Sequence, residues 1–269
     1  MIPRKERITR VAGETPLELA EGVTVVFFSN ADIGAIGFST GLGRFAPGVS
    51  MPYHTHECGE SITSLRGSCQ VAVEGRTYHL SPFDSIHVPP GLAHAVKSLD
   101  ESSEMLVHVA FSSSNVTRSL VADTFTVRDL KDAMTSEDGP ERLVRFSKVE
   151  PYELSEHAWF RDLFARRLGA RGICGGYGRF APGASLPCHT HLYDESITIV
   201  EGQATCLVAG RRYTLGGCDT ALVPQGLPHR FINDTDQFMA MIWVYAGDEP
   251  ERVIVSNTIC AGEAPRDGQ

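Results

Sequence analysis

Apolar and β-branched residues gather in short runs along this chain: Val23 to Phe28, Gln70 to Val73, Ile86 to Val88 and Met105 to Phe111, then Ala204 to Val208, Ala221 to Val223 and Phe238 to Tyr245. Gly, Pro, Asn or Asp separate the runs at short spacing, as in strands joined by tight turns. Pro47-Gly48, Pro90-Gly91 and Pro182-Gly183 suit such turns, proline fixing φ and glycine accepting positive φ. No long amphipathic helical pattern alternates with the strands, which argues against a layered α/β fold. The expected class is all-β, a sandwich or closed barrel.

The chain also repeats itself. Residues 43–67, GRFAPGVSMPYHTHECGESITSLRG, align with 178–202, GRFAPGASLPCHTHLYDESITIVEG, with sixteen identities and an offset of 135. The same offset maps Arg7 onto Arg142, Arg10 onto Arg145, Pro89 onto Pro224, Gly91 onto Gly226 and His94 onto His229. Two copies of one fold follow. Where they meet, Val127, Leu130 and Met134 recur at i, i+3 and i+7, predicting a short docking helix ended by Asp138-Gly139-Pro140. The expected organisation is one barrel over residues 1–123, a linker with a helix over 124–141, and a second barrel over 142–269.

Candidate chemistry sits inside the repeat. His54 and His56 are two apart in an expected strand, so both imidazoles emerge on one face, as do those of His189 and His191. Glu60 and Glu195 follow at the head of the apolar run Ser-Ile-Thr, and His94 and His229 come after the second turn. Three imidazoles and a carboxylate suit one divalent transition metal per half. Fe, Mn, Co, Ni or Cu is expected before Zn, with an octahedral shell leaving two positions open.

At these residues the chain resembles the cupin superfamily, specifically a bicupin. The first cupin motif, G-x5-H-x-H-x3-E-x6-G, is met by Gly48, His54, His56, Glu60 and Gly67, and again by Gly183, His189, His191, Glu195 and Gly202. The second motif, G-x5-P-x-G-x2-H-x3-N, is met by Pro89, Gly91 and His94, and by Pro224, Gly226, His229 and Asn233. It departs at its first glycine, Phe83 and Cys218 here, and at its asparagine in the first half, Ser98, all expected to shape turns. The resemblance implies two tandem jelly-roll barrels, each with a metal on its His3Glu set.

Reaction type is less constrained, because fold does not give function. Oxalate-degrading bicupins carry an arginine three residues before the first motif histidine, where this chain has Met51 and Leu186. The resemblance then points to a bicupin dioxygenase of phenolic, enolic or diketone substrates, with Glu60 or Glu195 binding metal and taking the substrate's hydroxyl proton. The alternatives are a non-redox isomerase, lyase or decarboxylase, and a non-catalytic small-molecule-binding bicupin.

Strand parity places Ile62, Ser64 and Val96 on the metal side in the first half, and Ile197, Ile199 and Phe231 in the second. The second pocket is expected to be narrower and more apolar, the first more open and polar. Tyr53 and Cys188 should point away from the metal, and His87 should be structural. Arg44 and Arg179 could clamp a substrate carboxylate or pair with an acid beneath the turn.

Composition narrows the partners. Thirty-three acidic residues against 24 basic ones give a net charge of −9, and no basic cluster offers a nucleic-acid footprint. No apolar run is long enough for a membrane helix or signal peptide. A cytoplasmic protein acting on a small molecule, pairing as a homodimer through exposed sheet edges, is the expectation. Seven cysteines without CxxC spacing read as reduced thiols.

Overall fold

A computed structural model describes residues 4–136 and 139–261. Every apolar run forms a strand: Val23–Ser29, Cys69–Val73, Ser85–Val88, Met105–Phe111, Gln203–Val208, Thr220–Val223 and Met239–Tyr245. Each half packs two sheets face to face, as two-sheet barrels do to bury their inner faces.

In the N-terminal half a seven-stranded sheet runs in the order Arg142–Val144, Ser85–Val88, Glu60–Arg66, Met105–Phe111, Ser39–Phe45, Val23–Ser29, Leu17–Ala20. It faces a six-stranded sheet ordered Ser119–Leu120, Ser50–Thr55, His94–Ser98, Cys69–Val73, Arg76–Leu80, Arg128–Asp129. Ile62, Ile86 and Val107 from the first interlock with Cys69, Val71, Val73 and Tyr78 from the second. The C-terminal half repeats the plan with seven and five strands around Ile197, Cys206, Val208, Phe231 and Trp243. The fold is thus a pair of jelly-roll barrels, all-β as expected.

The two halves exchange their leading strands. Arg7–Thr9 pairs with Thr220–Val223 of the C-terminal sheet, and Arg142–Val144, its repeat equivalent, pairs with Ser85–Val88 of the N-terminal sheet. The same side chains fix both arms. Glu141 is held by Arg76 at 2.7 and 3.0 Å and by the Tyr78 hydroxyl at 2.6 Å, and Glu6 by Arg211 and the Tyr213 hydroxyl. Arg145 reaches Asp84 at 2.9 Å, as Arg10 reaches Asp219. Between the barrels Ala35, Phe38 and Ala110 pack against Leu163, Phe164, Leu222, Ile242 and Val244. Thr40 Oγ1 lies 2.9 Å from Ser196 Oγ across that interface.

Two expectations are corrected. The linker forms no helix among the described residues. The Arg128 and Leu130 amides donate to the Gly75 and Thr77 carbonyls, so the segment runs as a parallel edge strand on Arg76–Leu80. Leu130 and Ala133 reach the core while Val127 and Met134 stay exposed, and Asp138 lies outside the described residues. An open sheet edge supplies backbone partners that three spaced apolar residues cannot match with helical bonds. The cysteines are also not all thiols, since Cys188 and Cys260 form a disulfide 72 residues apart in sequence. The chain returns along the barrel beside Cys188, a proximity no spacing rule reveals.

The turn-shaping positions behave as expected. Phe83 and Cys218, standing where the motif has glycine, adopt φ of 69° and 70°, a region that favours glycine. Asn233 Nδ2 donates to the Phe180, Ala181 and Gln237 carbonyls, pinning a loop where the Ser98 hydroxyl donates to the Asp100 carbonyl.

Candidate metal centres and the N-terminal cavity

Antiparallel register brings the histidines together. His94 lies opposite His54 across adjacent strands, as His229 lies opposite His189, while Glu60 and Glu195 head the facing sheet. His54, His56, Glu60 and His94 offer ligand atoms within 4.8 Å of one another, and so do His189, His191, Glu195 and His229. All eight are buried. The structure therefore unites every sequence-identified ligand in one His3Glu site per barrel, the donor set of a divalent transition metal.

The surrounding backbone fixes each ring. Nδ1 of His54, His56 and His94 donates to the carbonyls of Pro52, Thr117 and Leu92 at 2.8, 2.6 and 2.9 Å. In the second site Nδ1 of His189 and His229 donates to Pro187 and Leu227 at 2.8 and 2.9 Å, and that of His191 to Glu251. Every Nε2 is thereby left as the lone-pair donor facing the carboxylate. Nε2 of His94 and His229 sit 2.7 and 2.6 Å from Oε2 of Glu60 and Glu195. His191 Nε2 is buried without a hydrogen-bond partner among the described residues, 3.1 Å from Glu195, the kind of orphaned acceptor that a cation satisfies. These residues fit a metal.

Electrostatics agree with ligation. Burial, reinforced by the facing third histidine, pushes His54 down to about 4 and His189 to about 3, so both rings are neutral donors. Burial alone would raise the Glu60 carboxyl, but the close approach of His56 and His94 outweighs it and holds the group well below the usual carboxylate range. Glu195 is likewise held low by His191 and His229 against its burial.

The two sites differ in the space beside them. The first opens on a cavity of about 240 Å3 walled by Leu17, Leu19, Val25, Phe27, Met51, Val96 and other apolar side chains. Inside its barrel the second adjoins about 20 Å3, filled in by Phe160, Phe231, Trp243 and Tyr245, while a shallower space of about 450 Å3 outside the barrel is lined by His191, Leu192, Arg252 and Val253. The first pocket is indeed roomier, but the polarity expectation is corrected. Polar groups at the larger cavity are confined to Thr24, the metal ligands and Arg118, whereas Tyr152, Trp243, Tyr245 and Arg252 line the smaller one. Ile62, Val96 and Phe231 line the pockets as parity predicts. Ser64 does not, its hydroxyl donating to the Gly67 carbonyl, and Ile197 and Ile199 belong to the packed core.

The remaining candidates are structural. Tyr53 packs on Phe125 and accepts from the Gly75 amide, while Cys188 turns to Cys260. His87 Nδ1 meets the Ser61 hydroxyl at 2.9 Å. Arg44 pairs with Glu104 at 3.0 Å and Arg179 lies over the Phe238 ring at 4.1 Å, so neither reaches a metal.

A strap without a local sequence signal follows the last strand of each barrel. Ser119–Leu120 pairs with Thr55 and His54, and Val253–Ile254 pairs with Thr190 and His189. Thr117 and Glu251, which hold His56 and His191 through their carbonyls, belong to these straps, as do the cavity residues Arg118 and Arg252. These pairs are offset by 134 because the second copy is one residue shorter before its last strand, which hid them from a search at 135.

A family model described as a cupin domain matches residues 41–111 and 176–245. Solved structures of similar fold include oxalate decarboxylase from Bacillus subtilis at pH 4.6, 17% identical with a TM-score of 0.73 over 92% of this chain and 78% of that one. The formate complex of Lactobacillus farciminis oxalate decarboxylase is 14% identical, with a TM-score of 0.74 over 92% and 88%. Another B. subtilis oxalate decarboxylase structure, from a study of its Mn(II) centres, is 17% identical with a TM-score of 0.72 over 92% and 79%. Among curated proteins, no sequence relative matches.

Proposed function

The chain belongs to the cupin family, with two cupin domains in tandem, and from this we propose that its N-terminal barrel is the active site of a metal-dependent dioxygenase for a small, largely apolar phenolic, enolic or diketone substrate. One observation carries the reading: an apolar cavity of about 240 Å3 ends on the His54, His56, Glu60 and His94 set. An apolar cavity of about 150 Å3 holds benzene, and drug-sized pockets begin near about 300 Å3, so this space suits a single ring or a branched chain of similar bulk. Oxalate, a two-carbon dianion, would leave most of that wall unused. The position where oxalate-degrading bicupins carry arginine is Met51, an apolar part of the wall.

A redox-active divalent ion held by this set supplies Lewis acidity and one-electron chemistry toward dioxygen. The apolar wall binds the substrate's body and excludes water from its reacting end. Glu60 is the carboxylate placed to take the substrate's hydroxyl proton, and because its proton affinity is low the transfer needs a hydroxyl acidified by a bound metal. Neutral His54 and its neighbours keep their ring orientation through backbone carbonyls. The second site, whose barrel interior has room for little more than its ligands, stabilises its barrel.

A non-redox lyase is the second reading, favoured by the fold shared with the oxalate decarboxylases. Oxygen uptake by metal-loaded protein across a panel of phenols, enols and diketones separates the two. The expected result is turnover that stops under argon and falls at least about 100-fold in Glu60→Gln, the usual scale for a lost general base. Continued product formation under argon would establish the lyase, and ligand binding without turnover a binding protein.

A further inference from the structure

We propose that Arg118 is the specificity-determining residue of the N-terminal cavity and that the substrate carries a carboxylate on its small apolar body. This inference rests on the N-terminal barrel being the active site and adds the substrate's charge.

Four observations converge on it. Among the described residues, Arg118 is the one permanently cationic side chain lining the cavity, in a wall otherwise apolar but for Thr24 and the metal ligands. Its guanidinium is not neutralised: among the described residues no carboxylate pairs with it, and its contacts are the Leu19 carbonyl at 3.0 Å and the Met51 sulfur at 3.5 Å. By contrast Arg44, Arg76 and Arg145 are all matched to acids. A guanidinium presents five N–H donors in a planar fork suited to a carboxylate, and two weak or neutral contacts leave most of the fork available.

Its position is also fixed relative to the metal set. The neighbouring Thr117 carbonyl holds His56 Nδ1 at 2.6 Å, and the Val121 amide donates to the Tyr53 carbonyl at 2.9 Å, so the strap ties Arg118 to the strand that carries His54. Charge balance points the same way. A divalent ion with one carboxylate and neutral imidazoles leaves the site net positive, and Arg118 adds a second positive charge to a low-dielectric space, where an anion of complementary shape gains most.

The competing explanation is a latch. By reaching the Leu19 carbonyl, Arg118 bridges the strap and Leu17–Ala20, and it could serve only to close the mouth. Matched ligands distinguish the two roles. Benzoate, phenylacetate and isovalerate, each beside its primary amide, are titrated calorimetrically into metal-loaded wild-type protein and into Arg118→Gln, Arg118→Lys and Arg252→Gln variants. Arg252 lines the other, smaller cavity and serves as control.

We expect at least one acid to bind wild type about tenfold or more tightly than its amide. That preference should vanish in Arg118→Gln, survive in part in Arg118→Lys and stay unchanged in Arg252→Gln. If no acid is preferred over its amide by wild type, or the preference persists in Arg118→Gln, the proposal fails. Equal weakening of acid and amide would leave Arg118 a latch and also overturn it. Because binding is read without turnover, the dioxygenase reading stands or falls separately on oxygen uptake.

Discussion

All six clustered imidazoles commit Nδ1 to a backbone carbonyl, so ring orientation is set before any ion arrives. Removing one carboxylate should therefore cost its own site and no other. Elemental analysis of protein purified without chelators is expected to show about two equivalents of a divalent transition metal, one of them lost in Glu60→Ala and the other in Glu195→Ala. His108 makes the opposite case, a histidine with no task for its nitrogens. It is fully buried beside Phe28, and among the described residues neither ring nitrogen has a partner. Burial pushes it down to about 3. Between an unfolded value of about 6.5 and that folded value, the unfolded chain binds a proton the folded one refuses, so stability is lost as pH falls through this window. His108→Leu should flatten that acid-side loss in thermal melts. At neutral pH, relief of the unpaired nitrogens should raise Tm by about 2–4 °C, the shift that about 1 kcal/mol gives a chain of roughly this size.

Among the elements, the straps decide how the two mouths are closed, and each barrel fastens its own differently. The N-terminal strap is followed by Phe125 packed on Tyr53, with ring centroids 4.9 Å apart, whereas the C-terminal one is followed by the Cys188–Cys260 bond. Closing a loop of 72 residues corresponds to about 4 kcal/mol in the chain-entropy account. Hydrogen exchange on Cys260→Ser should show faster exchange at the Val253 to Val255 amides, with protection at the N-terminal strap unchanged. The strands, turns and ligands were legible from the sequence because period-two alternation, Pro-Gly punctuation and a repeated His-x-His are local signals. The straps were not, since Val116 to Leu120 has little alternation and acquires its place from an open edge beside His54. The linker was misread for the same reason, its fate being set by the free edge of Arg76–Leu80.

For the molecule as a whole, duplication has produced two equivalent metal sets in unequal surroundings. Phe231 stands where the first barrel has Val96, and with Trp243 and Tyr245 it fills the space that the first barrel keeps open. Loss of the two metals should consequently be felt differently. Glu60→Ala is expected to abolish turnover with a modest fall in Tm, and Glu195→Ala to retain turnover with the larger fall, measured by activity and scanning calorimetry on the same preparations. Equal effects on both readouts would mean that the barrels share the work.

The exchanged arms bear on how the chain is made. Arg142–Val144 leaves the ribosome soon after the strand it completes, so the first barrel can close early. Arg7–Thr9 emerges ahead of both barrels, yet its seat, Thr220 to Leu222, follows more than 200 residues later. At about 5–20 residues per second the arm waits roughly 10–40 s without its partner strand. Any product that stops short of that seat leaves the arm loose and the Arg4 clamp on Asp194 without its backing strand, so closure of the clasp reports that translation has passed Leu222, well into the second barrel.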